Sequence, residues 1–213
     1  MANVIYIYQM GKVGSSSIRH SLKGALEIPV YQVHYFKKNQ VYDKNCKIIS
    51  LVREPIERNF SGFFQNFERV VGIPFAQSNY SVQELLDVYL EKYIHDVPLT
   101  WYDTEFNKVT GIDVYSKEFN KYSIIDNVLF MQCELPDSKK EELISNFLGI
   151  NDFTITRTGM SSLATYGKMH RKFVDTVKFP KSYLDTFLGT KFVNHFYSDD
   201  YLISKWKEHL IWK

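Results

Sequence analysis

Cysteine is scarce: only Cys46 and Cys133 occur among 213 residues. Two thiols set in apolar runs build no disulfide framework, and each reads as a buried free thiol. Charge of one sign is equally scarce, with 26 Lys+Arg against 24 Asp+Glu and a formal net charge of +2. That balance excludes a general nucleic-acid binder but leaves room for a local basic cleft around an anion. No apolar run approaches the about 20 residues that cross a bilayer. Met1-Ala2-Asn3 leads directly into Val4 to Tyr8 and then Lys12, without the build of a signal peptide, so a cytoplasmic place is expected. The six prolines and ten glycines gather into no linker, and a single domain over 1–213 is expected. What the chain has in quantity is aromatic surface: 16 Phe and 15 Tyr within an apolar fraction of 45%, ample for a packed core.

Val4 to Tyr8 is a short β-branched and aromatic run of the kind found in a parallel strand buried on both faces. Ile18, Leu22, Ala25 and Leu26 then fall on one face of a helix that ends before Pro29. Pro29 to Phe36 and Lys47 to Val52 read as further strands, and Val128 to Cys133 as another. Such alternation predicts an α/β fold, with a short central parallel sheet flanked by helices. Helices are expected from Pro55 with Ile56, Phe60, Phe63, Phe64 and Phe67 inward, and from the Ser81–Glu84 capping box to about Tyr93. Others run from Ser138 to Leu148 and from Ser198 to the C-terminus. The stretch 97–122 carries no clear period.

Between the first strand and first helix lies Gly11-Lys12-Val13-Gly14-Ser15-Ser16-Ser17. Backbone N–H groups and the helix dipole converge there on an anion, two glycines permit close approach, and the serines and Lys12 add donors and charge. A triphosphate P-loop needs its lysine after the second glycine; here Lys12 precedes Gly14, and Ser15 stands in the lysine's place. A second signal follows the third strand, Arg53-Glu54-Pro55, with Ser61 eight residues after the arginine. Arg53 reaches the carboxyl edge of the sheet, where open α/β folds bind ligands, with a fork suited to phosphate. Arg58 is expected in solvent.

Together these motifs resemble the sulfotransferases that use 3′-phosphoadenosine-5′-phosphosulfate (PAPS). In that superfamily a Lys-x-Gly-Ser/Thr-like loop holds the 5′-phosphosulfate, matched by Lys12, Gly14 and Ser15. An Arg-Asp-Pro segment and a following serine hold the 3′-phosphate, matched by Arg53 and Ser61, with Glu54 in place of Asp. Over most of its length the chain also resembles the bacterial capsular polysaccharide synthesis family named for an Asn-Lys-Trp-Tyr-Ser motif. It has Asn120-Lys121-Tyr122-Ser123 without the Trp, along with Trp101-Tyr102-Asp103, Gly111 to Tyr115 and His195-Phe196-Tyr197-Ser198. The resemblance implies a three-layer, P-loop-like sulfotransferase fold and sulfuryl transfer to a carbohydrate hydroxyl of a bacterial surface or capsular polysaccharide. It implies PAPS as donor, 3′,5′-adenosine bisphosphate as product, and no metal.

Sulfuryl transfer proceeds in line and needs charge neutralisation at the leaving oxygen, for which Lys12 is placed, and a base for the acceptor hydroxyl. His34, at the end of the second strand, falls at the same sheet edge and resembles the base position of uronyl and glucosaminyl sulfotransferases; imidazole titrates at about 6.5. Asp103, Glu105, Asp113 and His170 are the next candidates. Thr165 to Lys172 reads as a basic loop, and late basic or aromatic segments of sulfotransferases close over the nucleotide, which makes Tyr166 and Lys168 cofactor contacts. No His/Cys/carboxylate grouping has metal-ligand spacing. An atypical P-loop nucleoside-triphosphate kinase, and a noncatalytic glycan- or nucleotide-binding protein, stay open at this point.

Overall fold

A computed structural model describes residues 2–36, 45–158 and 165–211. Its elements begin with strand β1 (Ile5–Tyr8), helix α1 (Ser15–Ala25), β2 (Val30–Val33), β3 (Lys47–Val52), α2 (Pro55–Gln65), α3 (Phe67–Val71), α4 (Val82–Lys92), α5 (Val97–Trp101) and α6 (Asn107–Thr110). They continue with β4 (Tyr122–Ile125), β5 (Val128–Gln132), α7 (Asp137–Leu148), α8 (Gly167–Thr176), β6 (Phe179–Pro180), α9 (Lys181–Asp185), α10 (Lys191–Phe196), α11 (Asp199–Trp206) and β7 (Leu210–Ile211). Two compact units result, one from Met1–Arg53 and Thr100–Gly159, the other from Glu54–Leu99 and Met160–Lys213. Among the described residues no helix is long and apolar enough to cross a membrane.

The first unit is α/β. Its five-stranded sheet has the order β2-β1-β3-β5-β4, with β2, β1, β3 and β5 parallel and β4 antiparallel to β5. The sheet is therefore mixed where a parallel one was expected. Only Asp126 and Asn127 separate β4 from β5, with Asp126 at φ 51, and so short a turn can join only antiparallel neighbours. On one face of the sheet, Tyr8 packs against Trp101 and Phe106 at ring separations of 5.0 and 5.2 Å. Phe106 also meets Phe130 at 5.4 Å, and the Tyr102 hydroxyl lies 3.1 Å from Ser50 Oγ. These rings come from the stretch without a clear period, which is helical from Val97 to Thr110 but widens to a π-helix at Tyr102–Phe106. The extra residue per turn hides the usual helical spacing. Helix α1 packs on β2 and α7 on β5.

The second unit is built around α2, which is buried continuously from Pro55 to Phe64 except for a half-buried Glu57. Phe60 meets Tyr89, Phe173, Phe179 and Trp206 at ring separations of 5.1 to 6.3 Å. With α3 and α8 packed on it, α2 has almost no solvent face, so Arg58 is buried rather than exposed. Its Nη1 donates to Asn59 Oδ1 at 3.0 Å and to the Tyr93 hydroxyl at 3.3 Å. The capping box forms as expected, Glu84 N–H bonding Ser81 Oγ at 3.2 Å and Ser81 N–H bonding Glu84 Oε2 at 2.7 Å. The C-terminal helix stops at Trp206, and the chain turns into β7; residues 212–213, which it was expected to include, lie outside the described residues.

Glu54 caps α2, accepting from Ile56 N–H at 3.1 Å and Glu57 N–H at 2.8 Å. Burial raises its carboxyl from 4.5 to about 7, with Lys205 and the backbone N–H of Glu57 opposing the shift. Because the folded value is the higher one, the proton stabilises the fold. That contribution is whole below 4.5 and is lost as pH rises through about 7. Glu54→Gln should remove this loss, flattening the stability profile by roughly 3 kcal/mol. Urea unfolding at pH 5 and pH 8 checks it; parallel profiles for variant and wild type would contradict the assignment.

Candidate anion-binding site

β1 leads the chain to the carboxyl edge of the sheet between β2 and β3, where the strand order reverses. Open α/β sheets leave a crevice at such a switch point. The loop beyond β1 is left-handed at Gly11, Lys12 and Gly14, with φ of 84, 64 and 76. Turns of this kind direct successive N–H groups to one side, as an anion-binding nest requires. Glycine adopts these angles without cost, but Lys12 does so against roughly 1–2 kcal/mol of steric preference. Gly14 is the N-cap of α1 and supplies no side-chain cap, and the first turn has no acidic residue. No carboxylate of the first turn therefore covers the first-turn N–H groups and the positive end of the dipole.

Among the loop serines, Ser15 is buried and its Oγ accepts from Gln9 Nε2 at 2.8 Å, which leaves the Ser15 hydroxyl proton as a donor. Ser16 is exposed. Ser17 is engaged elsewhere, its Oγ accepting from Thr158 N–H at 3.0 Å and donating to the Thr158 carbonyl at 3.3 Å. Val13 is buried. Arg53 follows the last residue of β3, and its Nη1 donates to the Lys12 carbonyl at 2.9 Å. One of its N–H groups therefore pins the loop, while Cys133 N–H bonds the Val52 carbonyl at 2.8 Å beside it.

His34 follows β2 and is exposed. Its Nδ1 lies 2.9 Å from the Gln9 carbonyl. A carbonyl can only accept, so Nδ1 carries the proton and Nε2 of the neutral ring is the acceptor. Its own carbonyl accepts from Trp101 Nε1 at 3.1 Å, and the ring lies over Gly11, where an added Cβ would meet it at 3.7 Å. Of the carboxylates named as further base candidates, Glu105 Oε1 accepts from the Tyr8 hydroxyl at 2.9 Å and Phe36 N–H at 3.2 Å. Asp113 Oδ1 accepts from Tyr115 N–H at 3.0 Å, and Asp103 is exposed.

The structure thus gathers the loop 11–17, His34 and Arg53 at one sheet edge. Ser61, Tyr166 and Lys168 belong to the second unit. Ser61 is buried on α2, and Tyr166 sets its ring 6.0 Å from Phe64 and 6.2 Å from Phe75, burial raising its hydroxyl. Lys168 is exposed in the first turn of α8. The expected basic loop is therefore helix from Gly167 onward, with His170 edge-on to Phe64 at 5.1 Å. Comparison with family models, with curated proteins and with solved structures finds no match.

One residue of the site was not anticipated. Gln9 is fully buried, donates its backbone N–H to the Val33 carbonyl at 3.2 Å, and uses its carboxamide oxygen to accept from Gly11 N–H. Its signal in the sequence is a polar side chain set directly after an apolar strand.

The left-handed angle at Lys12 has a measurable consequence. With the lysine side chain removed in both variants, Lys12→Gly should be more stable than Lys12→Ala by about 1 kcal/mol, the reverse of the usual order. Urea unfolding of the two ligand-free variants checks this; a more stable Ala variant would mean the loop adopts another conformation.

Proposed function

We propose that the chain is a PAPS-dependent sulfotransferase, on a sulfotransferase-like fold, acting on a hydroxyl of a carbohydrate acceptor such as a bacterial surface or capsular polysaccharide. The observation that carries this reading is the pairing of an anion-ready loop with a histidine whose Nε2 is held as the acceptor, on one sheet edge. The left-handed backbone at Lys12 and Gly14 and the uncapped start of α1 fit a tetrahedral anionic group. PAPS, when bound, supplies an activated sulfuryl group on a phosphate leaving group.

In this reading the loop N–H groups, Ser15 and Ser16 bind the 5′ end, and Lys12 neutralises charge that grows on the leaving oxygen. Arg53, whose Nη1 holds the Lys12 carbonyl, is assigned to the 3′-phosphate. His34 Nε2 takes the acceptor proton, and the resulting imidazolium is stabilised through Nδ1–H by the Gln9 carbonyl. This chemistry calls for no metal and for a cytoplasmic pool of donor.

A kinase in the same loop would depend on Mg²⁺, and a noncatalytic binder would hold nucleotide without turnover. Calorimetry with 3′,5′-adenosine bisphosphate, followed by transfer from labelled PAPS to an acceptor array, separates the three. Arg53→Ala should weaken bisphosphate binding by about 1.5–3 kcal/mol. Lys12→Ala should lower turnover by about 10² or more, with a smaller effect on binding. His34→Ala should depress turnover and leave binding intact. No bisphosphate binding by the wild type at high protein concentration would overturn the reading.

A further inference from the structure

The residue directly after β1 touches both halves of the proposed chemistry. Gln9 is 0% exposed, and every polar group it carries is engaged within this one unit. Its backbone N–H donates to the Val33 carbonyl, fixing the loop to the end of β2. Its carbonyl receives the Nδ1 proton of His34. Its carboxamide oxygen accepts from Gly11 N–H, and its Nε2 donates to Ser15 Oγ.

From this geometry we infer that Gln9 is a positioning residue, which aims the Ser15 hydroxyl proton at the bound anion and holds the glycine loop in register with the base. The inference rests on the sulfotransferase reading above. The physical reason lies in the inventory of donors. A serine oxygen whose lone pair accepts from Nε2 turns its own O–H elsewhere, and the carboxamide fixes which direction that is. The amide of Gly11, bonded to the carboxamide oxygen, is held away from the anion, so the nest opens toward Lys12, Gly14 and α1. A neutral side chain is needed for this work. A carboxylate in the same place could accept from Gly11 N–H but could not donate to Ser15, and it would set a buried negative charge beside the anion.

The test uses the full chain and 3′,5′-adenosine bisphosphate as probe, with folding of each variant verified by circular dichroism. Gln9→Met, which keeps the length and loses both hydrogen bonds, should weaken binding tenfold or more. Ser15→Ala should weaken it as well, and the double variant should bind no worse than the weaker single one, because Gln9 acts through Ser15. Gln9→Glu adds a readout that a filler residue would not move. Measured against wild type at each pH, its affinity should fall at least tenfold between pH 5.5 and 8, since the protonated carboxyl reproduces the amide's donor and the carboxylate does not. If wild type binds and Gln9→Met binds as tightly, the Gln9 inference is overturned and the sulfotransferase reading stands. Effects of Gln9→Met and Ser15→Ala that multiply, or a pH-independent Gln9→Glu, also overturn it. If wild type itself does not bind, the sulfotransferase reading falls and takes the inference with it.

Discussion

Where β1 leaves the sheet, the hydrogen bond from Gln9 N–H to the Val33 carbonyl is the last rung tying two parallel strands together. Beyond it the backbone turns left-handed three times within four residues. Buried peptide groups must find partners, and the sheet can offer none once the chain has passed its edge. The Gln9 carboxamide and the Arg53 guanidinium fill that role, one holding Gly11 and Ser15 and the other holding the Lys12 carbonyl. Both come from strand ends, so the loop inherits the rigidity of β1 and β3. Without that inheritance, a loop with two glycines would sample many shapes and present no fixed array of donors.

The arrangement places strain where chemistry is proposed and packing where it is not. Lys12 holds an angle that suits glycine, which is tolerable because neighbouring elements over-determine the loop. In the second unit, by contrast, α2 is sealed among aromatic rings, and its cap, Glu54, is a carboxyl that burial raises to about 7. An acid so placed is costly when ionised, and Glu57 pairs with Lys205 at 2.7 Å close to the same helix end. Electrostatics there serve the helix, whereas Lys12 is proposed to serve a ligand.

Much of this was legible in the sequence. The strands at β1, β3 and β5 announce themselves because parallel strands buried on both faces are continuous apolar runs. Proline and the Ser81–Glu84 box mark the starts of α2 and α4 for equally local reasons. The glycine loop, His34 and Arg53 could be placed on one edge because strand ends in a parallel sheet point the same way. Other features depended on tertiary context. β4 is short, with Tyr122 and Ile124 exposed and Ser123 buried, so it lacks the signature of a buried strand. The π-helix at Tyr102–Phe106 broke the period that helices are recognised by. Arg58 was expected in solvent because it is charged, yet its burial follows from neighbours supplied by distant parts of the chain. Gln9 carries little signal, because a polar residue after a strand ordinarily means only that the strand has ended.

The backbone of the loop, together with the start of α1, is proposed to receive an anion. Titrating uniformly ¹⁵N-labelled protein with 3′,5′-adenosine bisphosphate tests it most directly, by the amide shifts of the loop. The account predicts saturable shifts concentrated at Lys12, Gly14, Ser15 and Ser16, with the His34 ring retaining its Nδ1 proton. Saturable shifts confined to residues away from this loop, or no shifts at all, would contradict it.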